Sequence, residues 1–284
     1  MRLETSDVRE LHQGPGLKGA YKIIEAAGRT CYKSENRMTD SSAEKFVESL
    51  IANGHGAMLE HGTIYMKLNW WQIGKILKYY FAPYCESRRL LYVTTNYRVI
   101  VERKWQKDMR DHMCEPTERH AKRRTFKITC DIGVSREANR HRANSMAERS
   151  TRFCNYSKDR FNGEISVIMP DDLNPSLLET SAFTSTMMDL IYETNTPGTL
   201  PEDYWYTANL VCERCYMKLL ELGWKPQQAR RILPLDTATE LVHTAFEDDW
   251  KHFLDLRCAP NAHPDMVKIA KQIKKKLDYG ERAK

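Results

Sequence analysis

Apolar residues recur with a helical period through much of the N-terminal region and again through the C-terminal half. Residues 41–44, Ser-Ser-Ala-Glu, have the form of a capping box, and the apolar positions after them repeat at helical spacing. Gly54 follows where a left-handed C-terminal cap is expected. These features predict a helix that begins near residue 42 and ends before Gly54, whereas Ala26-Ala27-Gly28 predicts the end of an earlier helix.

Two other segments alternate apolar and polar residues with a period of two, which is typical of a strand with one buried face. They are residues 63–68 and 125–130. The stretch between them, residues 69–124, is of mixed character and predicts an aromatic helix at 70–81 and a strand at 91–102. No linker rich in Pro, Gly or Ser borders this stretch, so we interpret it as an insertion within a single domain that spans residues 1–284.

The C-terminal half has the pattern of amphipathic helices at residues 177–192, 202–222 and 265–277. A second capping box at residues 237–240, Thr-Ala-Thr-Glu, predicts the start of a long helix that reaches Arg257. Helices therefore dominate, with one sheet of moderate size. The predicted fold class is α/β or α+β.

Arg257 shares its predicted helical stripe with large apolar side chains. Counting back in helical steps reaches Phe253, Trp250 and Phe246. Charged side chains are rarely buried without a partner, so this guanidinium either meets a structural carboxylate or faces a ligand at the edge of the core.

Composition narrows the class of protein. No run of apolar residues approaches the roughly 18 that a membrane helix requires, and 41% hydrophobic content over 284 residues is enough for a sizeable core. The first residues lack the apolar stretch of a secretory signal, so we expect a soluble cytoplasmic protein. The 8 cysteines are scattered, which suits reduced thiols, and the formal net charge of +6 fits an anionic partner without identifying it.

Residues 140–152, here called the arginine segment, concentrate arginine without lysine. Arginine presents a planar fork that binds phosphate or carboxylate through two hydrogen bonds. Glu148 and Ser150 add groups that can hold sugar hydroxyls or orient an arginine. Two interpretations stand at this point: a site for an anionic, hydrogen-bonding ligand such as a nucleotide, or a surface helix with salt bridges.

Three blocks of the chain carry a family likeness. Arg140-His141-Arg142, followed after seven residues by Ser150, resembles the RHR-x7-S signature of the flavin-dependent thymidylate synthases. Residues 54–61, from Gly-His to Glu-His, resemble a second segment of that family. Residues 230–234, 253–257 and 261–265 resemble its C-terminal helix and turn.

The resemblance implies helices packed on a mostly antiparallel sheet, in the fold of the thymidylate synthase-complementing proteins. It also implies a homotetramer with active sites at subunit interfaces. The implied activity is FAD-dependent methylation of dUMP at C5 to give dTMP, with methylenetetrahydrofolate as the carbon source, reduced flavin as the hydride donor and NADPH as a co-substrate. Neither a membrane nor nucleic acid is an expected partner. Cys212 and Cys215 have no second pair at zinc-finger distance, so no metal site is assigned.

The resemblance also assigns roles to single residues. Arg257 would be the catalytic residue that polarises the pyrimidine. The residues that would bind dUMP are Arg140, Glu148, Ser150, Arg152, Arg230 and Arg257. The residues that would bind FAD are Arg140, His141, Arg142, Glu148 and His252.

This chain departs from the family pattern mainly at positions that contact flavin. Ala57 replaces a serine or threonine, Phe246 an asparagine and Asp248 an arginine. Three further departures are Glu137, Ala147 and Asn261. Two alternatives therefore stand beside methylation: another C5 modification of a pyrimidine nucleotide, such as hydroxymethylation, or a catalytically inactive nucleotide-binding relative. A separate hypothesis is that FAD is held by different residues, including some from the insertion.

Overall fold

A computed structural model describes residues 1–69, 71, 86–88, 91–177, 182–192 and 200–282. Helices and strands alternate through this part of the chain, which confirms the mixed α/β class. The helices are α1 Gly16–Tyr32, α2 Ser42–Ala52, α3 Gly56–Leu59, α4 Tyr97–Glu102, α5 Gln106–His112, α6 Ile132–Ala138, α7 Ala182–Tyr192, α8 Pro201–Glu221, α9 Pro226–Ala229, α10 Glu247–Arg257 and α11 Pro264–Arg282. No described helix is both long enough and apolar enough to cross a membrane.

The strands of the described residues form three sheets. They are β1 Arg2–Glu4, β2 Asp7–Glu10, β3 Thr63–Lys67, β4 Glu86–Arg88, β5 Tyr92–Asn96, β6 Arg123–Asp131, β7 Ser145–Glu148, β8 Ser166–Ile168 and β9 Ala238–Phe246. The sheet orders are β1-β8, β2-β6-β9-β7 and β3-β5-β4. The pairs β3–β5, β4–β5 and β7–β9 are antiparallel, whereas β1–β8 is parallel.

The chain divides into two compact units. The first unit comprises Met1–Ser6, Thr129–Glu137 and Ser150–Thr239, and the second comprises Asp7–Ile128, Ala138–Arg149 and Glu240–Lys284. Each unit has its own apolar cluster. The cluster of the first includes Tyr156, Val167 and Tyr216, and that of the second includes Ile24, Val47, Ile64, Val93 and Ile100. The interpretation of the chain as a single domain with an insertion at 69–124 stays a prediction.

The predicted N-terminal helix around residues 42–53 is confirmed as α2, and Gly54 has the left-handed φ of 69° that its position requires. The capping box at residues 41–44 is wrong in detail. Ser41 makes no side-chain cap hydrogen bond. Instead the hydroxyl of Ser42 accepts a hydrogen bond from the backbone N–H of Thr39 at 2.8 Å and donates to Glu25 at 2.9 Å.

The predicted helix end at Ala26-Ala27-Gly28 is wrong, because α1 continues to Tyr32. Gly28 lies inside the helix and permits close packing instead of ending it. A Cβ atom at this position would lie 2.7 Å from the Phe46 ring on α2. A glycine within a helix can therefore serve contact between helices, which a sequence pattern does not distinguish from a cap.

Two predicted elements change type along their length. The strand predicted at 91–102 is correct only for β5, because Asn96 caps α4 by accepting a hydrogen bond from Val99 N at 3.0 Å. The long helix predicted from residue 237 to Arg257 is wrong in its first half, where β9 forms, and correct for α10. Eight of the nine residues of β9 are buried, and a continuous buried run of this kind suits a strand flanked by other strands.

The remaining predictions agree with the described residues where they can be compared. Strands β3 and β6 confirm the period-two segments at 63–68 and 125–130. Helices α8 and α11 confirm those predicted at 202–222 and 265–277. Only the part Ala182–Tyr192 of the helix predicted at 177–192 is described as helix. The helix predicted at 70–81 lies outside the described residues apart from Trp71.

Candidate functional site

A hydrogen bond between Arg257 and His141 connects helix α10 to the arginine segment. Helix α10 buries Trp250 and Phe253, and Arg257 lies one turn beyond Phe253 at the half-buried end of the same helix. Arg257 Nε donates a hydrogen bond to His141 Nε2 at 3.0 Å. Since the accepting nitrogen carries no proton, the imidazole of His141 is neutral with its proton on Nδ1.

The surroundings of His141 keep it neutral. Burial, the Arg257 cation and His252 together lower the pKa of His141 to about 4. Its ring packs against Phe253 with the centroids 4.6 Å apart and lies 6.3 Å from the ring of His252. The bond to Arg257 is therefore stable in this form throughout the neutral pH range.

A buried histidine, His243, holds the turn that follows His141. Asn144 Nδ2 donates a hydrogen bond to His243 Nε2 at 2.7 Å, and His243 lies on β9 against the ring of Trp250 at 4.2 Å. Burial, together with His141 and His61, lowers the pKa of His243 well below its ordinary value. The turn of the arginine segment thus rests on a neutral, aromatic-packed layer.

The next part of the arginine segment is the short strand β7, which pairs antiparallel with β9. Its side chains alternate, so that Ser145 and Ala147 are buried and Glu148 is partly exposed. Ala147 packs with Ala27 and Val242 in a small apolar cluster, which explains an alanine at this departure from the family pattern. Glu148 Oε2 accepts a hydrogen bond from Asn139 Nδ2 at 3.2 Å.

Arg140 and Arg142 present cationic groups to solvent. Both side chains are exposed, and neither makes a hydrogen bond or ion pair with another residue in the described part of the chain. His252 is also exposed. The second unit thus offers two uncommitted guanidinium groups on the same short turn that carries His141.

Arg149 has a different role from the other arginines. Its backbone N–H donates to the carbonyl of Glu240 at 2.8 Å, and its guanidinium forms a buried ion pair with the Glu240 carboxylate. Lys33 and Lys127 each lie 2.9 Å from the same carboxylate. Burial alone would raise the pKa of Glu240, but Arg149 and the two lysines outweigh it and lower the pKa well below the ordinary range.

The sequence does not reveal the role of Glu240, because residues 237–240 have the pattern of a helix cap. The sequence does contain one indication of a buried charge pair. Glu240 is a lone glutamate followed by the apolar residues Leu241 and Val242, and an unpaired charge in a buried segment would be strongly destabilising. With three cations around it, Glu240 fixes the end of the arginine segment and is not available to a ligand.

Three of the predicted dUMP residues belong to the first unit. Arg230 Nη1 donates a hydrogen bond to Thr151 Oγ1 at 3.1 Å, so these two side chains are in contact within this unit. Arg152 is exposed and lies over the ring of its neighbour Phe153 at 5.2 Å. The carbonyl of Ser150 accepts a hydrogen bond from Cys154 N at 2.9 Å, which closes a turn around these residues.

The Glu-His pair at residues 60–61 is committed to protein contacts. Glu60 forms an ion pair with Arg98 at 2.6 Å. His61 is fully buried and its Nδ1 shares a 2.8 Å hydrogen bond with Thr244 on β9. Burial, with a smaller contribution from Arg123, lowers the pKa of His61 to about 3.

A comparison with models of protein families identifies the family of this chain. The family model described as "Thymidylate synthase complementing protein" (Thy1) matches residues 16–73 and 92–278. The chain belongs to this family. The matched residues include the whole arginine segment, strand β9 with His243, and helix α10 with His252 and Arg257.

Two curated members are similar to this Thy1 protein over part of their length. The flavin-dependent thymidylate synthase of Thermosipho melanesiensis is 28% identical over 168 residues, which cover 55% of this chain and 64% of that protein. The flavin-dependent thymidylate synthase of Kosmotoga olearia is 29% identical over 153 residues, which cover 53% and 60%. The chain thus spans less than two thirds of the relatives that it matches.

Two solved structures of a UMP/dUMP methylase, PolB from Streptomyces cacaoi, also align with this Thy1 chain. The complex with 5-Br UMP is 17% identical with a TM-score of 0.44, and the alignment covers 98% of this chain and 91% of PolB. The complex with 5-Br dUMP is 17% identical with a TM-score of 0.43 and coverage of 98% and 92%.

The residues of this Thy1 chain fit a flavin nucleotide. Exposed guanidinium groups such as those of Arg140 and Arg142 suit a pyrophosphate, which accepts paired hydrogen bonds. The carboxylate of Glu148 can accept hydrogen bonds from hydroxyl groups, and the rings of His141 and His252 offer planar surfaces. Phe246 and Asp248, which depart from the family pattern, provide no hydrogen-bond donor of this kind. Phe246 lies under the Arg123 cation at 5.4 Å, and Asp248 lies in the first turn of α10 with two other acidic residues.

Proposed function

We propose that this chain catalyses the flavin-dependent methylation of dUMP at C5 to give dTMP, with methylenetetrahydrofolate as the carbon source. The observation that carries the proposal is the 3.0 Å hydrogen bond from Arg257 to His141. This bond connects Arg257 at the end of helix α10 to the RHR turn, and the two residues are 116 positions apart in the sequence. The family assignment and the names of the two curated relatives support the same function.

Arg257 is the residue proposed to act on the pyrimidine. The bond through Nε orients the plane of its guanidinium, and the neutral imidazole of His141 adds no competing charge. A fixed cation beside the ring would stabilise the negative charge that develops when C5 becomes nucleophilic. Bound FAD, reduced by NADPH, would supply the hydride that completes the methyl group. No cysteine nucleophile is required for this route.

The residues proposed to hold dUMP are Arg140, Glu148, Ser150, Arg152, Arg230 and Arg257. Arg140, His141, Arg142, Glu148 and His252 would hold FAD. Exposed arginines at these positions also suit a site completed by a second subunit, and we propose the homotetramer on this basis.

A second candidate is a different C5 modification of a pyrimidine nucleotide, such as hydroxymethylation. It is favoured by the surroundings of Phe246, whose ring is covered by Arg123, and by the acidic first turn that contains Asp248. Both features replace contacts that the family resemblance assigns to the flavin. A changed flavin position would alter how the one-carbon unit is reduced.

Mass analysis of the nucleotide after turnover tests the proposal. Purified protein is incubated with dUMP, methylenetetrahydrofolate, FAD and NADPH, and the products are compared with authentic dTMP and hydroxymethyl-dUMP. The proposal predicts dTMP, which is absent when Arg257→Ala replaces the wild type. A hydroxymethyl product would support the second candidate. Unchanged dUMP in every reaction would contradict both and favour a catalytically inactive nucleotide-binding relative.

A further inference from the structure

The RHR turn, residues 140–144, is held by few side chains. Its backbone is closed by a hydrogen bond from Asn144 N to the carbonyl of His141 at 3.0 Å. Within the described part of the chain, two of its side chains make hydrogen bonds: His141 with Arg257, and Asn144 with His243. Arg257 ends helix α10 and His243 lies on strand β9, so these two elements hold the turn in place.

The alternation of side chains along β7 explains why Asn144 reaches His243. Strand β7 pairs antiparallel with β9, and Met146 lies directly opposite His243. Since successive side chains of a strand point to opposite faces, Asn144, which immediately precedes β7, shares a face with Met146 and His243. Asn144 Nδ2 meets His243 Nε2 at 2.7 Å, diagonally across the strand pair. The contact thus follows from the register of the two strands.

The aromatic side chains of helix α10 connect this contact to His141. The ring of His243 lies 4.2 Å from that of Trp250 and 5.5 Å from that of Phe253, measured between centroids. The ring of His141 packs on the same Phe253 at 4.6 Å. Phe253 is fully buried and lies one turn before Arg257. Both hydrogen bonds of the RHR turn are therefore supported by one buried aromatic group.

A histidine at position 243 carries a cost that an apolar ring would avoid. His243 is fully buried, and burial lowers its pKa well below the ordinary value. Its second ring nitrogen, Nδ1, is also buried and makes no hydrogen bond to the residues that the structure describes. A buried polar atom without a partner reduces stability. The hydrogen bond to Asn144 is what the imidazole provides in return, which indicates a role for this bond beyond packing.

We propose that Asn144 and His243 are positioning residues for the reaction proposed above. Their hydrogen bond would hold the RHR turn where His141 accepts the hydrogen bond from Arg257. This role rests on the proposed function, because it concerns the same site. Neither residue contacts the nucleotide, and both act through His141 on the orientation of the Arg257 guanidinium. A guanidinium that turns away stabilises less of the charge that develops in the transition state, so their loss slows the chemical step.

Steady-state kinetics of Asn144→Ala test this role on the full chain. Asn144 is half-buried, and alanine cannot donate the hydrogen bond to His243. The kcat of dTMP formation is expected to fall at least about tenfold, with a smaller change in the KM for dUMP. Asn36→Ala removes an exposed amide in the same unit and is expected to change neither constant. A smaller loss of kcat, or an equally large change in KM, would overturn the proposal.

The titration of His141 provides a measurement that requires neither dUMP nor turnover. Burial, Arg257 and His252 lower the pKa of His141 to about 4. In Asn144→Ala the released turn exposes His141 and separates it from Arg257, so its pKa is expected to rise above about 5. NMR titration of the histidine ring protons measures this change, and Asn36→Ala should retain the wild-type value. A residue that only stabilised the fold would leave the pKa of His141 unchanged, and that result would overturn the proposal.

A double-mutant cycle on the same titration tests whether Asn144 and His243 act through one bond. His243→Phe keeps an aromatic ring beside Trp250 and removes the accepting nitrogen. Each single variant is expected to raise the pKa of His141, and the double variant no further than the larger single change. Additive changes would overturn the proposal. If the wild type forms no dTMP, the proposed function fails, whereas the His141 titration still decides whether this bond positions the turn.

Discussion

At the scale of single residues, the contact between Arg257 and His141 carries most of the functional argument. An arginine on a stripe with Trp250 and Phe253 requires a partner, and the sequence left open whether this was a carboxylate or a ligand. The structure supplies a neutral imidazole from the RHR turn instead. Such a partner orients the guanidinium without neutralising it, which suits a group that acts on an anionic substrate.

Substitution of Arg257 by alanine is expected to have two linked effects. The affinity for dUMP should fall at least about tenfold, because a charge-assisted contact is lost. The pKa of His141 should rise from about 4, because the Arg257 cation is one cause of its low value. Isothermal titration with dUMP and NMR titration of the histidine ring protons measure the two effects.

Lys251→Ala is the matched control, since Lys251 is an exposed cation on the same helix. It should change neither the dUMP affinity nor the His141 titration. If Arg257→Ala binds dUMP with wild-type affinity, Arg257 is not part of the dUMP site.

His61 and His141, whose pKa values are lowered, predict a loss of stability in mild acid. His61 has a pKa of about 3 and His141 of about 4, both below the ordinary value of 6.5. The unfolded chain therefore binds protons that the folded chain does not, so stability is full above about pH 6.5 and falls as the pH decreases toward 4. Each histidine that stays neutral contributes a slope of roughly 1.4 kcal/mol per pH unit in this window.

Urea unfolding at pH 7 and pH 5 measures this effect. His61→Gln is expected to reduce the difference between the two pH values, and His12→Gln, at an exposed histidine, is expected to leave it unchanged. The same pH dependence in wild type and His61→Gln would show that His61 is not neutral in the folded protein.

At the scale of elements, helix α1 depends on a glycine where its chain passes close to the preceding loop. A Cβ atom at Gly19 would lie 1.8 Å from the backbone oxygen of Gly14, whereas one at Gly28 would meet the movable ring of Phe46 at 2.7 Å. Alanine favours helices over glycine by about 1 kcal/mol, but a clash with backbone outweighs this preference.

Gly19→Ala is therefore expected to lower the free energy of unfolding by roughly 2–3 kcal/mol. Gly28→Ala serves as the comparison and should cost less than about 1 kcal/mol, since the Phe46 ring can turn aside. Urea unfolding measures both. Equal stability of wild type and Gly19→Ala would contradict the close packing of α1 on this loop.

Strand β9 shows why some elements are predictable from the sequence and others are not. The period-two segments that became β3 and β6, and the helices α2, α8 and α11, were predictable because each has one polar face. Residues 238–245 are buried on both faces, so their sequence has no period that distinguishes a strand from a helix. Thr237-Ala238-Thr239-Glu240 has the letters of a capping box, but Glu240 serves a buried charge cluster. Sequence spacing does not reveal partners such as Lys33, which lies 207 positions away.

The cluster around Glu240 predicts a large effect of a small substitution. Glu240→Gln keeps the shape of the side chain but leaves Arg149, Lys33 and Lys127 without their shared carboxylate. Removing one partner from a buried ion pair costs about 3–5 kcal/mol, and partial exposure of Lys33 and Lys127 places the expected loss near the lower value. Urea unfolding at pH 7 measures it. Lys33→Gln, which leaves two cations on Glu240, should cost less, and a Glu240→Gln protein as stable as the wild type would contradict the cluster.

At the scale of the whole molecule, the arginine segment divides between the two units after Arg149. Its RHR turn and β7 belong to one unit, and Ser150 and Arg152 belong to the other. The resemblance could assign every one of these residues because it rests on the order of motifs along the chain. It could not reveal the contacts of His141 and His243 or the Glu240 cluster, since these depend on contacts between distant segments.

We propose that Arg257 acts on dUMP in a flavin-dependent reaction, and an absorption spectrum of the flavin tests this proposal. The protein is loaded with FAD, freed of excess cofactor, reduced under anaerobic conditions and mixed with dUMP and methylenetetrahydrofolate. We expect the protein to retain flavin bands that bleach on reduction and return only when both substrates are present, with no return in Arg257→Ala. A protein that retains no FAD, or whose flavin bands return equally without dUMP, would contradict the proposed function.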